Sequence, residues 1–230
     1  MALYVEPRSG YRTDAVRLVR RNRSGGGVRV FTRLSRRDAM AWHALAGRVG
    51  VCLEGRLDRR VVANRLEHNG STWRLEEMDR AAARARAIAA VNVGTVLHTD
   101  VEDFYASVRP GVLERTLRDA GVEGGDAALA AAMIDAWGRA GVPGLPVGPP
   151  GSAVMANAVL MSVDASLGAR PFLRWVDDYR VAVASEDDAG AVLLRLDEAL
   201  GRLGLRRSVA KTVVGRARDL RWPGGEYGSA

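Results

Sequence analysis
Hydrophobic positions along the chain change period several times, and each change predicts an element. Val28-Arg-Val-Phe-Thr-Arg33 alternates, which predicts a strand with Arg29 and Arg33, an even step apart, on one face. Residues 38–90 read mainly as helix. Apolar positions recur at helical intervals over 38–49, residues 61–66 form a short apolar segment, and residues 76–90, rich in Ala and Arg, predict an amphipathic helix. Residues 93–100 predict a strand that ends in an acid, Asp100, and residues 112–120 and 126–140 predict helices. A stiff Pro/Gly loop, Gly144-Leu-Pro-Val-Gly-Pro-Pro-Gly-Ser152, leads into a helix over 153–167 with Ser152 as its N-cap. Two β-prone runs flank Asp177 and Asp178, which predicts a hairpin with both acids at its tip. Val192, Leu193, Leu196, Leu200 and Leu203 then share one face of a helix over 188–203.

Composition narrows the class of molecule. At 230 residues, 47% hydrophobic and 27% charged, the chain suits one large or two small globular domains. A net charge of +7 suits a polyanionic partner such as nucleic acid. Ten arginines against Glu6 and Asp14 crowd the first 37 residues, around a Ser24-Gly-Gly-Gly27 linker, and such an arm suits phosphate contacts as well as plain solvation. Cys52 is the single cysteine, so no intrachain disulfide forms and a reducing cytoplasm fits. No apolar run approaches the ~18 residues that span a bilayer, and the N-terminus does not read as a secretory signal. His43, His68 and His98 are scattered, and each is expected to be structural.

The candidate chemistry lies in acids and one lysine. Asp177-Asp178 is poor chemistry for a tight turn and sets two like charges side by side, a cost that a bound divalent cation removes. An exposed acidic turn is the commoner meaning of an isolated Asp-Asp pair. Asp100 adds a third acid where a strand leaves its sheet, a rigid mounting for chemistry. Lys211 is the only lysine among 34 basic residues. A composition that nearly excludes lysine yet keeps one here points to a need for an ammonium, which can release a proton where a guanidinium cannot.

Four blocks in this order, an Asp-bearing strand continuing into Phe104-Tyr105, the Leu145-Pro-Val-Gly-Pro-Pro-Gly-Ser152 loop and its helix, the Val176-Asp-Asp178 hairpin, and Leu203-Gly-Leu205 followed by Lys211-Thr212, resemble the palm of reverse transcriptases. The matched region spans about residues 90–214. Residues 61–66 and the basic N-terminal block are similar to the fingers of bacterial reverse transcriptases, and the Trp175-Val-Asp-Asp178 wording resembles the abortive-infection, phage-defence branch. The resemblance implies an α/β (α+β) fold: a right-hand polymerase palm with an antiparallel sheet backed by helices, and a small, mostly helical fingers region. It implies fingers and a basic arm over 1–90, a palm over 91–214, and a tail over 215–230 with no thumb.

The same resemblance implies roles. Asp100, Asp177 and Asp178 would bind two Mg2+ ions, with Mn2+ as an alternative and the Val101 backbone carbonyl contributing. Phe104 and Tyr105 would lie at the nucleotide, Tyr105 under its sugar, where a ring excludes a 2′-hydroxyl and favours deoxynucleotides. Val147 and Gly148 would lie beneath nucleotide and template, supported by Ser152 and Asn157. Trp175 would stand near the primer terminus, Lys211 would help to protonate the departing pyrophosphate, and Arg29 and Arg33 would hold the triphosphate. The partners implied are an RNA template, a DNA or RNA primer and dNTPs, with a protein partner or second copy supplying a thumb. Many reverse transcriptases carry glutamine where this chain has Val147, which puts processive copying in question. Template-free or protein-primed DNA synthesis is one alternative, and a non-catalytic nucleic-acid- or partner-binding module of the same shape is another.

Overall fold
A computed structural model describes residues 11–22, 27–70, 72–90 and 94–216, with the side chains of 87–90 outside the description. Most of the Ser24–Gly27 linker, the first ten residues and nearly all of the expected tail lie outside the described residues. The elements in chain order are β1 (Arg17–Asn22), β2 (Val28–Arg33), α1 (Arg36–Glu54), β3 (Leu66–His68), β4 (Trp73–Leu75), α2 (Met78–Ala90), β5 (Thr95–Asp100), α3 (Phe104–Ser107), α4 (Pro110–Asp119), α5 (Gly124–Arg139), α6 (Pro150–Ser166), β6 (Phe172–Trp175), β7 (Asp178–Val183), α7 (Glu186–Arg202), a 3-10 turn (Val209–Lys211) and β8 (Val213–Arg216). They form two compact units interleaved in sequence, one of residues 1–56 and 105–159, the other of 57–104 and 160–230.

The first unit is a helical core with a two-stranded ribbon. Trp42 of α1 and Trp137 of α5 pack edge to face at 5.1 Å, the arrangement that aromatic quadrupoles favour. Asp38, fully buried at the start of α1, accepts from Tyr11 Oη (2.6 Å), Thr13 Oγ1 (2.6 Å) and Trp137 Nε1 (3.3 Å). Burial pushes its carboxyl up, but these donors outweigh burial and hold it below the ordinary value. The β1–β2 ribbon is antiparallel, with Arg17 opposite Arg33 and Arg21 opposite Arg29.

The second unit is built on a four-stranded antiparallel sheet in the order β6-β7-β5-β8. On one face Leu173 and Trp175 pack with Val62, Ala63, and Ala81 and Ala85 of α2. On the other, Arg174 and Tyr179 meet Asp164 of α6. Residues 66–75, expected within a mainly helical stretch, instead form the β3–β4 hairpin. Its signal was Asn69-Gly70, a strong turn dipeptide, with Gly70 at φ 92°. Helix α6 begins at Pro150, so Ser152 lies inside its first turn rather than capping it.

Candidate functional site
The antiparallel register of β5 and β7 sets Asp100 directly opposite Asp178. Directly opposed residues project from the same face, so the two carboxylates share one side of the sheet. Asp177 precedes Asp178 in the β6–β7 connection. Trp175 pairs with Asp178, so the two-residue tip is Val176-Asp177 and Asp178 already belongs to the strand. This corrects the expectation of both acids at the tip. The left-handed conformation falls on Val176, at φ 59°, the position a two-residue hairpin turn usually gives to glycine. For a β-branched residue that conformation costs about 1–3 kcal/mol and persists only where its surroundings impose it.

Those surroundings are specific. Arg174, fully buried, donates through one terminal nitrogen to the Val176 carbonyl at 2.7 Å. Its Nε and other terminal nitrogen pair with the two oxygens of Asp164, each at 2.8 Å, and Tyr179 Oη donates to Asp164 Oδ1 at 2.9 Å. The Arg174 backbone is clamped as well, receiving from Val62 N and donating to Arg60 O. The Val101 N–H donates to the Asp177 carbonyl at 3.3 Å, which ties the tip to the end of β5.

The three acids differ in how the protein compensates them: Lys211 lies at Asp100, and His98 and Arg180 approach Asp178. Burial, then the neighbouring Asp100, pushes the Asp177 carboxyl up to about 7. Burial also raises Asp100, although Lys211 Nζ lies 2.8 Å from its Oδ2 and pulls the other way. The segment carrying Lys211 is fastened to β5. Ser208 N donates to the Asp100 carbonyl at 2.6 Å, and Thr212 Oγ1 lies 2.8 Å from Thr99 Oγ1. Asp178 Oδ1 is buried and has no hydrogen-bond partner.

Hard oxygen donors on three acids suit magnesium, and an orphaned buried carboxylate oxygen is what a cation would satisfy. Among the described residues no three His, Cys, Asp or Glu side chains are already drawn together as a ligand cluster. Asp100, Asp177 and Asp178 offer oxygen donors of the kind a hard divalent cation takes, with Lys211 standing at Asp100 in this arrangement.

His98 also belongs here, against expectation. Its Nε2 is 2.9 Å from Asp178 Oδ2. The signal was the even step from His98 to Asp100, which puts both on one face of a strand.

Other expected site residues are placed differently. Phe104 and Trp175 are buried, at 2% and 3% exposure, so their rings are core packing rather than open contact surfaces for a nucleotide or primer. Ser152 is buried and accepts from Trp42 Nε1 at 3.2 Å, and Asn157 is buried in the same helix. Tyr105, Val147, Gly148, Ser152, Asn157, Arg29 and Arg33 belong to the first unit. There the Tyr105 carbonyl receives Leu145 N, and the Val147 carbonyl receives Thr32 N of β2, both at 2.8 Å. Gly144 is required: at φ 60°, a Cβ there would lie 2.1 Å from the Tyr105 carbonyl oxygen.

The telomerase of Candida tropicalis, in its apo structure, superposes on 99% of this chain with a TM-score of 0.60 and 12% identity. The fold is reverse-transcriptase-like. It is the mixed α/β fold expected from the sequence, with antiparallel sheets and helices. The chain spans 47% of that telomerase's length. No family model and no curated protein matches the chain. Among the described residues no helix is long and apolar enough to cross a membrane.

Proposed function
We propose that the chain is an RNA-directed DNA polymerase that extends a primer 3′ end with deoxynucleotides. The reading is carried by one observation: Asp100 and Asp178 face each other beside Asp177, whose carboxyl is pushed up to about 7 by burial and by Asp100. A divalent cation beside Asp177 would favour the ionised carboxylate that burial and Asp100 disfavour. Two Mg2+ ions, or Mn2+, held by Asp100, Asp177 and Asp178 with the Val101 carbonyl would supply the activation of the primer hydroxyl and the neutralisation of phosphate charge that phosphoryl transfer needs.

In this reading the chain's own residues position and protonate. The Arg174–Asp164–Tyr179 network holds the turn that presents Asp177. Lys211 leaves Asp100 and gives a proton to the departing pyrophosphate. Tyr105 excludes a 2′-hydroxyl, Val147 and Gly148 line the nucleotide, and Arg29 and Arg33 hold its triphosphate. RNA template, primer and dNTPs are the partners, and a role in antiviral defence in the cytoplasm follows the resemblance to the phage-defence branch.

The test is incorporation of labelled dNTP on a primed RNA template with Mg2+. The wild-type chain should extend the primer, and Asp177→Ala combined with Asp178→Ala should abolish extension. Full activity of that double variant would refute the proposal.

One observation favours a non-catalytic nucleic-acid-binding module instead: Lys211 already neutralises Asp100. Mg2+-dependent thermal stabilisation by dNTP separates the two readings. It is expected of the polymerase, and its absence together with salt-sensitive RNA binding would favour the module.

A further inference from the structure
His98 and Arg180 face each other across β5 and β7, two residues further along each strand from the Asp100–Asp178 pair and on the same face. The row across the sheet reads Leu173, Arg180, His98, Val213. Two of its four positions thus carry nitrogen-rich polar side chains where a packed sheet face ordinarily carries apolar ones. Both reach Asp178. His98 Nε2 is 2.9 Å from Oδ2, and Arg180 Nε is 4.0 Å from Oδ1. The side chains of His98, Asp178 and Arg180 are 22%, 18% and 7% exposed, so water does little of the compensating. His98 Nε2 is close to Asp178 but makes no hydrogen bond, and it and Asp178 Oδ1 are both buried without a hydrogen-bond partner.

We propose that His98 is a positioning residue for Asp178, donating Nε2–H to Oδ2 so that Oδ1 is left to a divalent cation. The inference rests on the reading above in which Asp178 helps to hold the metal. Carboxylates that ligate metals are commonly oriented by an outer ring of hydrogen bonds, and losing one such bond weakens metal binding by about 10–100-fold. A purely structural His98 would instead contribute packing, which any β-prone side chain of similar bulk could replace.

The experiment measures Mn2+ binding by the electron-spin signal of the free ion, and Mg2+ binding by calorimetry. It compares the full chain with His98→Gln and His98→Val. Glutamine can place an amide N–H near the position of Nε2, whereas valine suits the strand and donates nothing. The expected result is a loss of about 10–100-fold for His98→Val, with His98→Gln close to wild type. Wild-type affinity in His98→Val, or equal losses in both variants, would overturn the proposal. If His98→Val does not fold, the wild-type imidazole decides: its Nε2 nitrogen resonance should shift with Mg2+ and saturate together with the calorimetric isotherm. A resonance that stays fixed through saturation overturns the proposal. Failure of the wild-type chain to bind either ion, matching Asp177→Asn, would overturn the metal reading itself and this inference with it.

Discussion

Lys211 Nζ lies 2.8 Å from Asp100 Oδ2, an ion pair between residues 111 positions apart. Lys211 is more than half exposed, so the pair contributes at most about 1 kcal/mol to stability. Its larger consequence concerns competition. An ammonium at Asp100 must leave before a divalent cation can take that oxygen. Lys211→Ala should therefore bind Mg2+ more tightly than wild type, measured by calorimetry, while primer extension falls because the proton donor is gone. Weaker Mg2+ binding in this variant would mean that Lys211 helps rather than opposes the ion.

Stability without metal should depend on pH in a direction opposite to that of most carboxylates. The native state holds the Asp177 proton up to about 7, whereas the unfolded chain releases it near the ordinary value of 3.8. The native state thus binds the extra proton between these values, and the contribution is lost as pH rises through this window. Asp100 is shifted the same way. The cost of ionising Asp177 in the native state is on the order of 4 kcal/mol. Asp177→Asn should therefore raise the melting temperature in chelator at about pH 8 and leave it nearly unchanged at about pH 4. Mg2+ should stabilise the wild type more as pH rises. Equal melting temperatures for variant and wild type at the higher pH would show that Asp177 ionises without penalty.

Much of the fold was legible because its elements carry unambiguous periods. The helices α1, α2, α4, α5 and α7 and the strands β2 and β5 fall where the apolar spacing put them, to within a few residues. The β3–β4 hairpin was missed because three-residue strands are too short to show a period, and only Asn69-Gly70 marks the turn. Opposition of Asp100 to Asp178 could not be read from spacing, since strand order and register are tertiary facts. The shift of strain from the aspartates to Val176 has the same origin. It depends on a buried arginine, Arg174, whose sequence neighbours gave no hint that it pairs with Asp164 on a different element. Trp175 and Phe104 show the converse: a motif position suggested contact, and packing decided burial.

Arg174 should be among the least replaceable residues of the second unit. It is fully buried, pairs through two bonds with Asp164 and supports the Val176 carbonyl. Arg174→Ala would strand the Asp164 carboxylate, which keeps the Tyr179 hydroxyl as a donor but loses both guanidinium bonds, at about 3–5 kcal/mol. Replacing both partners, Arg174→Met with Asp164→Leu, removes the stranded charge and should recover part of that loss, less about 1–3 kcal/mol for the buried Tyr179 hydroxyl left without its acceptor. Urea denaturation of the single and double variants measures the difference. The double variant should still lack primer extension, because nothing then holds Val176 in its strained conformation. Wild-type activity in a stable double variant would show that the turn needs no such support.

The β1–β2 ribbon sets arginine against arginine twice, Arg17 opposite Arg33 and Arg21 opposite Arg29. Like charges directly opposed on neighbouring strands oppose pairing. Arg17 and Arg33 are both exposed. Such an arrangement is expected where the charges serve a polyanion rather than the fold. Replacing Arg17 and Arg33 together with threonine, which suits a strand, should leave the melting temperature unchanged or raise it. RNA binding should weaken. If each arginine meets one phosphate, the dependence of log affinity on log salt should flatten by about 0.7 per arginine on single strands, or about 1.4 for the pair. Fluorescence anisotropy with labelled single-stranded RNA over a salt series measures both affinity and slope. An unchanged slope with a lower melting temperature would mean that the ribbon's arginines serve the fold, and that the polyanion is held elsewhere.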